Sequence, residues 1–119
     1  MFEISKTYSF EAAHSLPFLP PEHKCHHLHG HSYKVTLMLR GDKLNSNGML
    51  RDFCDIDAYM KPLVAIYDHS DLNDHFVKST SEMIALTIYN KIKPGLIELR
   101  SVAVKETDKT EAKFVGNAV

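Results

Sequence analysis

The chain predicts an α+β fold in the order β-β-α-α-β-β: a four-stranded antiparallel sheet with both helices on one face. Three observations in the 119-residue sequence carry that prediction. Apolar and polar residues alternate in two long stretches near the start. Apolar residues recur at helical spacing in two stretches in the middle, and two more strand-like stretches flank a polar turn near the end. Two helices in succession between two pairs of strands leave both helices to cover one sheet. No repeat or linker interrupts the order, so residues 1–119 read as one domain.

The first strand runs over residues 2–14, with Phe2, Ile4, Tyr8, Phe10 and Ala12 on one face and Glu3, Ser5, Thr7, Ser9 and Glu11 on the other. Lys6 alone breaks the pattern, and His14 continues the apolar face to the strand end. Pro17, Pro20 and Pro21 exclude regular structure from the loop that follows. Alternation resumes from His29 to Arg40, where His29, His31, Tyr33, Val35, Leu37 and Leu39 share a face. Asn45-Ser46-Asn47-Gly48 is a turn cluster. A helix is expected from near Asp55, carrying Ile56, Tyr59, Met60, Leu63 and Tyr67 at helical spacing, with Pro62 expected to kink or divide it. Ser79-Thr80-Ser81-Glu82 reads as a capping box with Ser79 as the cap. It opens a second helix that carries Ile84, Ala85, Ile88, Tyr89 and Ile92 and closes at Pro94-Gly95. The last strands are expected over 96–107 and 111–116, around Asp108-Lys109-Thr110. A four-stranded sheet keeps exposed edges, which invites lateral assembly with further copies.

Composition narrows the function classes. With 14 basic and 15 acidic residues and a formal charge of -1, there is no electrostatic reason to expect nucleic acid or an anionic membrane as partner. Cys25 and Cys54 make no disulfide framework, and Met-Phe-Glu-Ile-Ser-Lys lacks the regions of a secretory signal, so a cytoplasmic protein with reduced thiols is expected. No apolar run approaches the ~20 residues that span a bilayer.

The chemistry concentrates in Cys25-His26-His27-Leu28-His29-Gly30-His31 together with His14. Residues two apart on a strand project to one face, so His29 and His31 can reach one ion together, and His14 ends the other strand on its apolar face. Zinc accepts neutral imidazole nitrogen, and three protein ligands with a fourth position free is the catalytic pattern. His14, His29 and His31 are therefore the expected metal set. The local spacing also allows a closed structural site in which Cys25 is the fourth ligand. If Cys25 stays off the metal, Lys24 and the ion's charge favour its thiolate, a base or nucleophile; a plain buried cysteine is the alternative. Cys54 is read as structural.

Asp68-His69 pairs an acid with an imidazole it can orient, though such a pair also occurs as a solvated helix end. Glu106 near the end of the third strand is either a surface carboxylate or an acceptor of paired N–H bonds from a heterocycle with an amidine-like edge. Nothing singles out His23, His26, His27 or His75.

Taken together, Phe10-Glu11-Ala12-Ala13-His14, Lys24-Cys25, Leu28-His29-Gly30-His31, Gly48-Met49 with Asp52-Phe53, Asp68-His69 with Leu72-Asn73, Thr80-Ser81-Glu82 and Glu106 resemble the 6-pyruvoyl-tetrahydropterin synthase superfamily. Within it the chain is similar to the bacterial branch that forms 6-carboxy-5,6,7,8-tetrahydropterin. The resemblance implies the tunnelling fold, in which subunit sheets join into a barrel and trimers stack as a homohexamer with active sites at subunit interfaces. It implies zinc (Zn2+) on His14, His29 and His31, Cys25 as the proton-abstracting base, Asp68 with His69 as a proton relay, and Glu106 as the pterin anchor and a possible relay member. Lys24, Thr80 and Ser81 join Glu106 in binding a small-molecule pterin.

The implied reaction converts 7,8-dihydroneopterin triphosphate to the 6-carboxy product, acetaldehyde and triphosphate, in queuosine biosynthesis. A 6-pyruvoyl product, or a non-catalytic zinc and pterin protein, are the alternatives. The three-residue gap between Cys25 and His29 favours the carboxy branch. Met83, where asparagine often stands, and the His26-His27 pair depart from the pattern without touching the implied zinc or acid-base residues.

Overall fold

The structure, a computed structural model, describes residues 1–117. Strand β1 (Phe2–His14) and strand β2 (His29–Gly41) pair antiparallel along their whole length, from Phe2 opposite Gly41 to His14 opposite His29. Helix α1 (Phe53–Tyr67), the short strand β3 (Ser70–Asp71), helix α2 (Ser81–Ile92), β4 (Leu99–Thr107) and β5 (Thr110–Val115) follow. The sheet order is β3-β1-β2-β4-β5.

The even-numbered residues of β1 and the odd-numbered residues of β2 supply one wall of the core: Tyr8, Phe10, Tyr33, Val35, Leu37 and Leu39 are buried. Helix α1 lies against β1 and contributes Ile56, Met60 and Tyr67, while α2 lies against β4 and β5 and contributes Ile84, Ile88 and Ile92. Lys6 keeps its place on the core face because it is only half-buried there, and its Nζ reaches Asp57 Oδ1 on α1 at 2.6 Å. The stem packs while the charged head is paired near the surface.

The α+β architecture is as expected, but the sheet has five strands and is mixed, where four antiparallel strands were predicted. The extra strand is β3, which runs parallel to β1 at Ala12 and Ala13. His69 turns the chain into this pairing with a left-handed backbone, φ 58°, which histidine tolerates better than most residues. Two residues are too few to leave an alternating pattern, so no periodicity marks this strand.

Other differences have equally local causes. Asp52 caps α1 by accepting the Cys54 N–H at 2.8 Å, so the helix starts two residues before Asp55. Pro62 does not divide α1; Pro62 and Ala58 are both exposed, so the carbonyl that loses its partner faces water. Thr80, not Ser79, caps α2, accepting the Met83 N–H at 3.2 Å, and Ser79 is buried. Leu96 to Glu98 form a turn closed by the Leu99 N–H on the Leu96 carbonyl, so β4 begins only at Leu99. Cys54, read as structural, is exposed on the first turn of α1.

Candidate metal centre and active site

The β1–β2 register builds the centre. His14 ends β1 opposite His29, and His31 lies one inward-facing position further along β2, opposite Ala12. One side-chain nitrogen from each of His14, His29 and His31 lies within 4.8 Å of the other two. The ring of His14 stands 4.5 Å from that of His29 and 5.1 Å from that of His31, edge to face.

Backbone carbonyls fix two of these rings. His14 Nδ1 donates to the Ser79 carbonyl at 2.8 Å, and His29 Nδ1 donates to the His27 carbonyl at 2.7 Å. A carbonyl oxygen only accepts, so Nδ1 carries a proton, and in the neutral ring Nε2 then keeps its lone pair. Such a bond on the far ring nitrogen is the usual support of a metal-binding histidine. His14 Nε2 and His31 Nε2 are buried without a hydrogen-bond partner among the described residues. Burial pushes the His31 imidazole below its ordinary range; Glu106 works against this, and His14 and His29 add to it. Neutral imidazoles with converging free nitrogens fit a zinc ion.

Cys25 lies in a single 3-10 turn, Lys24–His26. His23 Nδ1 accepts the Cys25 N–H at 3.0 Å, and the Cys25 carbonyl accepts the Leu16 N–H at 2.9 Å, which ties the proline-rich loop to the turn. The thiol is half-buried, and Cys25 is absent from the group of mutually close ligand atoms, which comprises the three histidines. The closed one-cysteine, three-histidine arrangement is therefore not formed. Lys24 is exposed and makes no ion pair among the described residues.

Glu106 brings β4 to the centre. Its Oε2 is 3.7 Å from His31 Nε2 and its Oε1 is 4.0 Å from His14 Nε2. Ser81, the first residue of α2, donates its hydroxyl to Glu106 Oε1 at 2.8 Å. Thr80 stands beside it, with its hydroxyl engaged in the cap.

Asp68 and His69 do meet side chain to side chain, His69 Nδ1 lying 2.9 Å from Asp68 Oδ2. Asp68 Oδ1 accepts the Glu11 N–H at 2.9 Å, and this bond, with His69 next in weight, holds the carboxyl below its usual range. The imidazole of His69 is 79% exposed and stands outside the histidine cluster. It lines a shallow depression with Glu11, Gly30, His31 and Ser32. One chain thus joins His14, His29, His31, Glu106 and Ser81, and presents Asp68 and His69 separately at the β3 side.

Two residues of the site escaped the sequence reading. Ser79 was assigned to the cap but is fully buried against His14. Asn73 holds Ser15, the residue after His14, by accepting its N–H and donating to its carbonyl, each at 2.9 Å. The run Leu72-Asn73 was the one available signal, and it does not say what Asn73 touches. Tyr33, expected on the same strand face as His29 and His31, stacks on Phe10 at 5.3 Å and also stands edge-on to His14 and His31.

Comparison with known proteins identifies the family. The family described as 6-pyruvoyl tetrahydropterin synthase matches residues 3–117. A Synechocystis protein named 6-carboxy-5,6,7,8-tetrahydropterin synthase is 40% identical over 122 residues, covering 96% of this chain and 93% of the relative. A Bacillus subtilis protein of the same name is 35% identical, covering 89% of this chain and 80% of its own. Human 6-pyruvoyl tetrahydrobiopterin synthase is 31% identical, covering 96% and 91%. The solved structure of 6-pyruvoyl tetrahydropterin synthase from Caenorhabditis elegans superposes with a TM-score of 0.86 at 27% identity, covering 98% of this chain and 96% of that one. By sequence and by fold, this chain belongs to the 6-pyruvoyl tetrahydropterin synthase family.

Proposed function

We propose that the chain is a zinc-dependent 6-carboxy-5,6,7,8-tetrahydropterin synthase, a lyase that converts 7,8-dihydroneopterin triphosphate and water to 6-carboxytetrahydropterin, acetaldehyde and triphosphate. The observation that carries this reading is the convergence of three imidazoles beside a carboxylate held in place by Ser81. The names of the Synechocystis and Bacillus subtilis relatives favour the carboxy product over the pyruvoyl product. That product would enter queuosine biosynthesis, in the cytoplasm.

His14, His29 and His31 hold the ion. Zinc bound there supplies Lewis-acid polarisation to the oxygens of the substrate side chain. The Glu106 carboxylate accepts the paired N–H donors of the pterin ring, and the Ser81 hydroxyl keeps Oε1 oriented for them. Thr80 sets the helix start beside the ring, and Lys24 meets the triphosphate. Cys25 removes a carbon-bound proton of the side chain, for which the half-buried thiol must be a thiolate. His69, oriented by Asp68, delivers a proton on the opposite side. Triphosphate leaves with its bonding electron pair, and cleavage of the side-chain carbon–carbon bond with addition of water yields acetaldehyde and the carboxylate.

The outward placement of His69 suits an assembly in which it serves a neighbouring copy's centre, as in a homohexamer built from two trimers. The test is to incubate the zinc-loaded protein with 7,8-dihydroneopterin triphosphate and measure acetaldehyde, triphosphate and the pterin formed. Acetaldehyde and 6-carboxytetrahydropterin in equal amounts are expected. Triphosphate release with a 6-pyruvoyl pterin and no acetaldehyde would move the assignment to the pyruvoyl branch. No turnover with zinc bound would overturn the enzyme reading.

A further inference from the structure

Behind His14 lies a hydrogen-bonded clamp that no proton-transfer or pterin-binding role accounts for. Asn73 sits in the 3-10 turn Leu72–Asp74, directly after β3, and Asp71 Oδ1 accepts its N–H at 3.0 Å. From there its side-chain amide grips the backbone of Ser15 on both sides, as acceptor and as donor. Asn73 Oδ1 also accepts the Ser79 hydroxyl at 3.0 Å. The Ser79 carbonyl in turn receives His14 Nδ1–H.

Both neighbours that settle the pose of His14 are therefore held by one amide. Ser15 fixes the backbone immediately after the ligand, and Ser79 presents the acceptor that selects its tautomer. His14 is 1% exposed and Ser79 is fully buried, so water offers neither a ready substitute. An amide carries its donor and its acceptor on separate atoms, as the two-sided hold on Ser15 requires, whereas a hydroxyl has both on one oxygen.

We infer that Asn73 is a positioning residue for the metal centre: through Ser15 and Ser79 it orients His14 with Nε2 unprotonated and aimed at the ion. The inference rests on the reading of His14, His29 and His31 as metal ligands. Loss of a partner bonded directly to a ligating histidine typically weakens metal affinity by about 10–100-fold, and Asn73, one bond further out, holds both such neighbours of His14. Asn73 touches neither substrate nor ion, so its effect passes through affinity and ring state.

The experiment compares the wild-type protein with Asn73→Ala, Asn73→Ser and Leu63→Ala. Leu63 is partly buried on α1 and packs against the core, so its truncation lowers stability without touching the clamp. Zinc affinity is measured by competition with a chromophoric chelator, and the His14 tautomer by nitrogen-15 NMR of the metal-free proteins. Both Asn73 variants are expected to bind zinc about 10–100-fold more weakly and to lose the single Nδ1–H form of His14, while Leu63→Ala stays within about threefold of wild type. Asn73→Ser carries the test if the alanine variant does not fold. Zinc affinity unchanged in the Asn73 variants, or weakened no more than in Leu63→Ala, overturns the inference. If the wild-type protein itself binds no zinc, the metal reading falls. The tautomer measurement then decides the clamp separately, and an unchanged His14 ring in the Asn73 variants would refute it.

Discussion

Replacing Glu106 with glutamine tests whether the carboxylate binds the pterin edge. The side chain keeps its size, and its Oε1 can still accept the Ser81 hydroxyl that is 2.8 Å away in the native protein. The other oxygen, 3.7 Å from His31 Nε2, becomes an NH2 group that faces a substrate N–H. One charge-assisted bond is lost, worth about 1.5–3 kcal/mol, and a buried donor is left opposed by a donor, at a further cost of about 1–3 kcal/mol. The sum is about 2.5–6 kcal/mol. At ~1.4 kcal/mol per decade this is a fall in kcat/KM of roughly 10²–10⁴-fold. The assay follows acetaldehyde with an alcohol dehydrogenase couple, on protein whose zinc content has been measured by elemental analysis. Because Glu106 is not in the histidine ligand group, zinc content should stay at the wild-type level. A Glu106→Gln protein with full zinc and kcat/KM within about threefold of wild type would refute the anchoring role, since neither loss just described could then be real.

Cys25→Ala should retain zinc and lose turnover by about 10²–10⁴-fold, the range of a positioned base. Cobalt substitution is the companion measurement, and strong sulfur-to-cobalt charge transfer in the resting protein would show that Cys25 ligates after all. Chelation of the metal should lower the melting temperature; at free zinc of about 100 Kd the lost stabilisation is ~2.7 kcal/mol, and differential scanning fluorimetry would detect it. Asp68 has a folded-state pKa below its unfolded value, so its contribution is complete above about pH 4 and disappears as pH falls through the depressed value. Asp68→Asn should therefore be less stable than wild type to urea at pH 7, with the gap narrowing as pH falls below the usual carboxylate range. A gap that does not narrow as pH falls below the usual carboxylate range would mean that the carboxylate's charge is not what stabilises that corner.

The long elements were legible because burial writes a period into them. Residues 2–14 and 29–40 announce their core faces, and the same alternation places His14, His29 and His31 together, so the cluster that could hold a metal was legible in the sequence. What stayed hidden is held by single hydrogen bonds between residues far apart in sequence. Asn73 meets Ser15 across 58 positions, and Ser79 meets His14 across 65. No local pattern encodes such a meeting. Thr80 and Ser79 are neighbours with almost equal capping propensity, and tertiary burial of Ser79 decides between them. Strand β3 depends on one left-handed histidine, a conformation that no periodicity foretells.

The register of β1 against β2 carries a liability as well as a design. The outer face of this ladder adds polar pairs, with the Thr7 and Thr36 hydroxyls 2.7 Å apart and Ser32 donating to Glu11 at 2.8 Å, while burial of the inner face ties the two strands to one alignment. A slip of β2 by one residue would send His29 and His31 to the wet side together with Tyr33, Val35, Leu37 and Leu39. The ion's ligands and the packed core would be lost in the same event. For this chain, misalignment is a functional lesion before it is a loss of strand: a slipped population would keep its β-sheet circular dichroism and elute without metal.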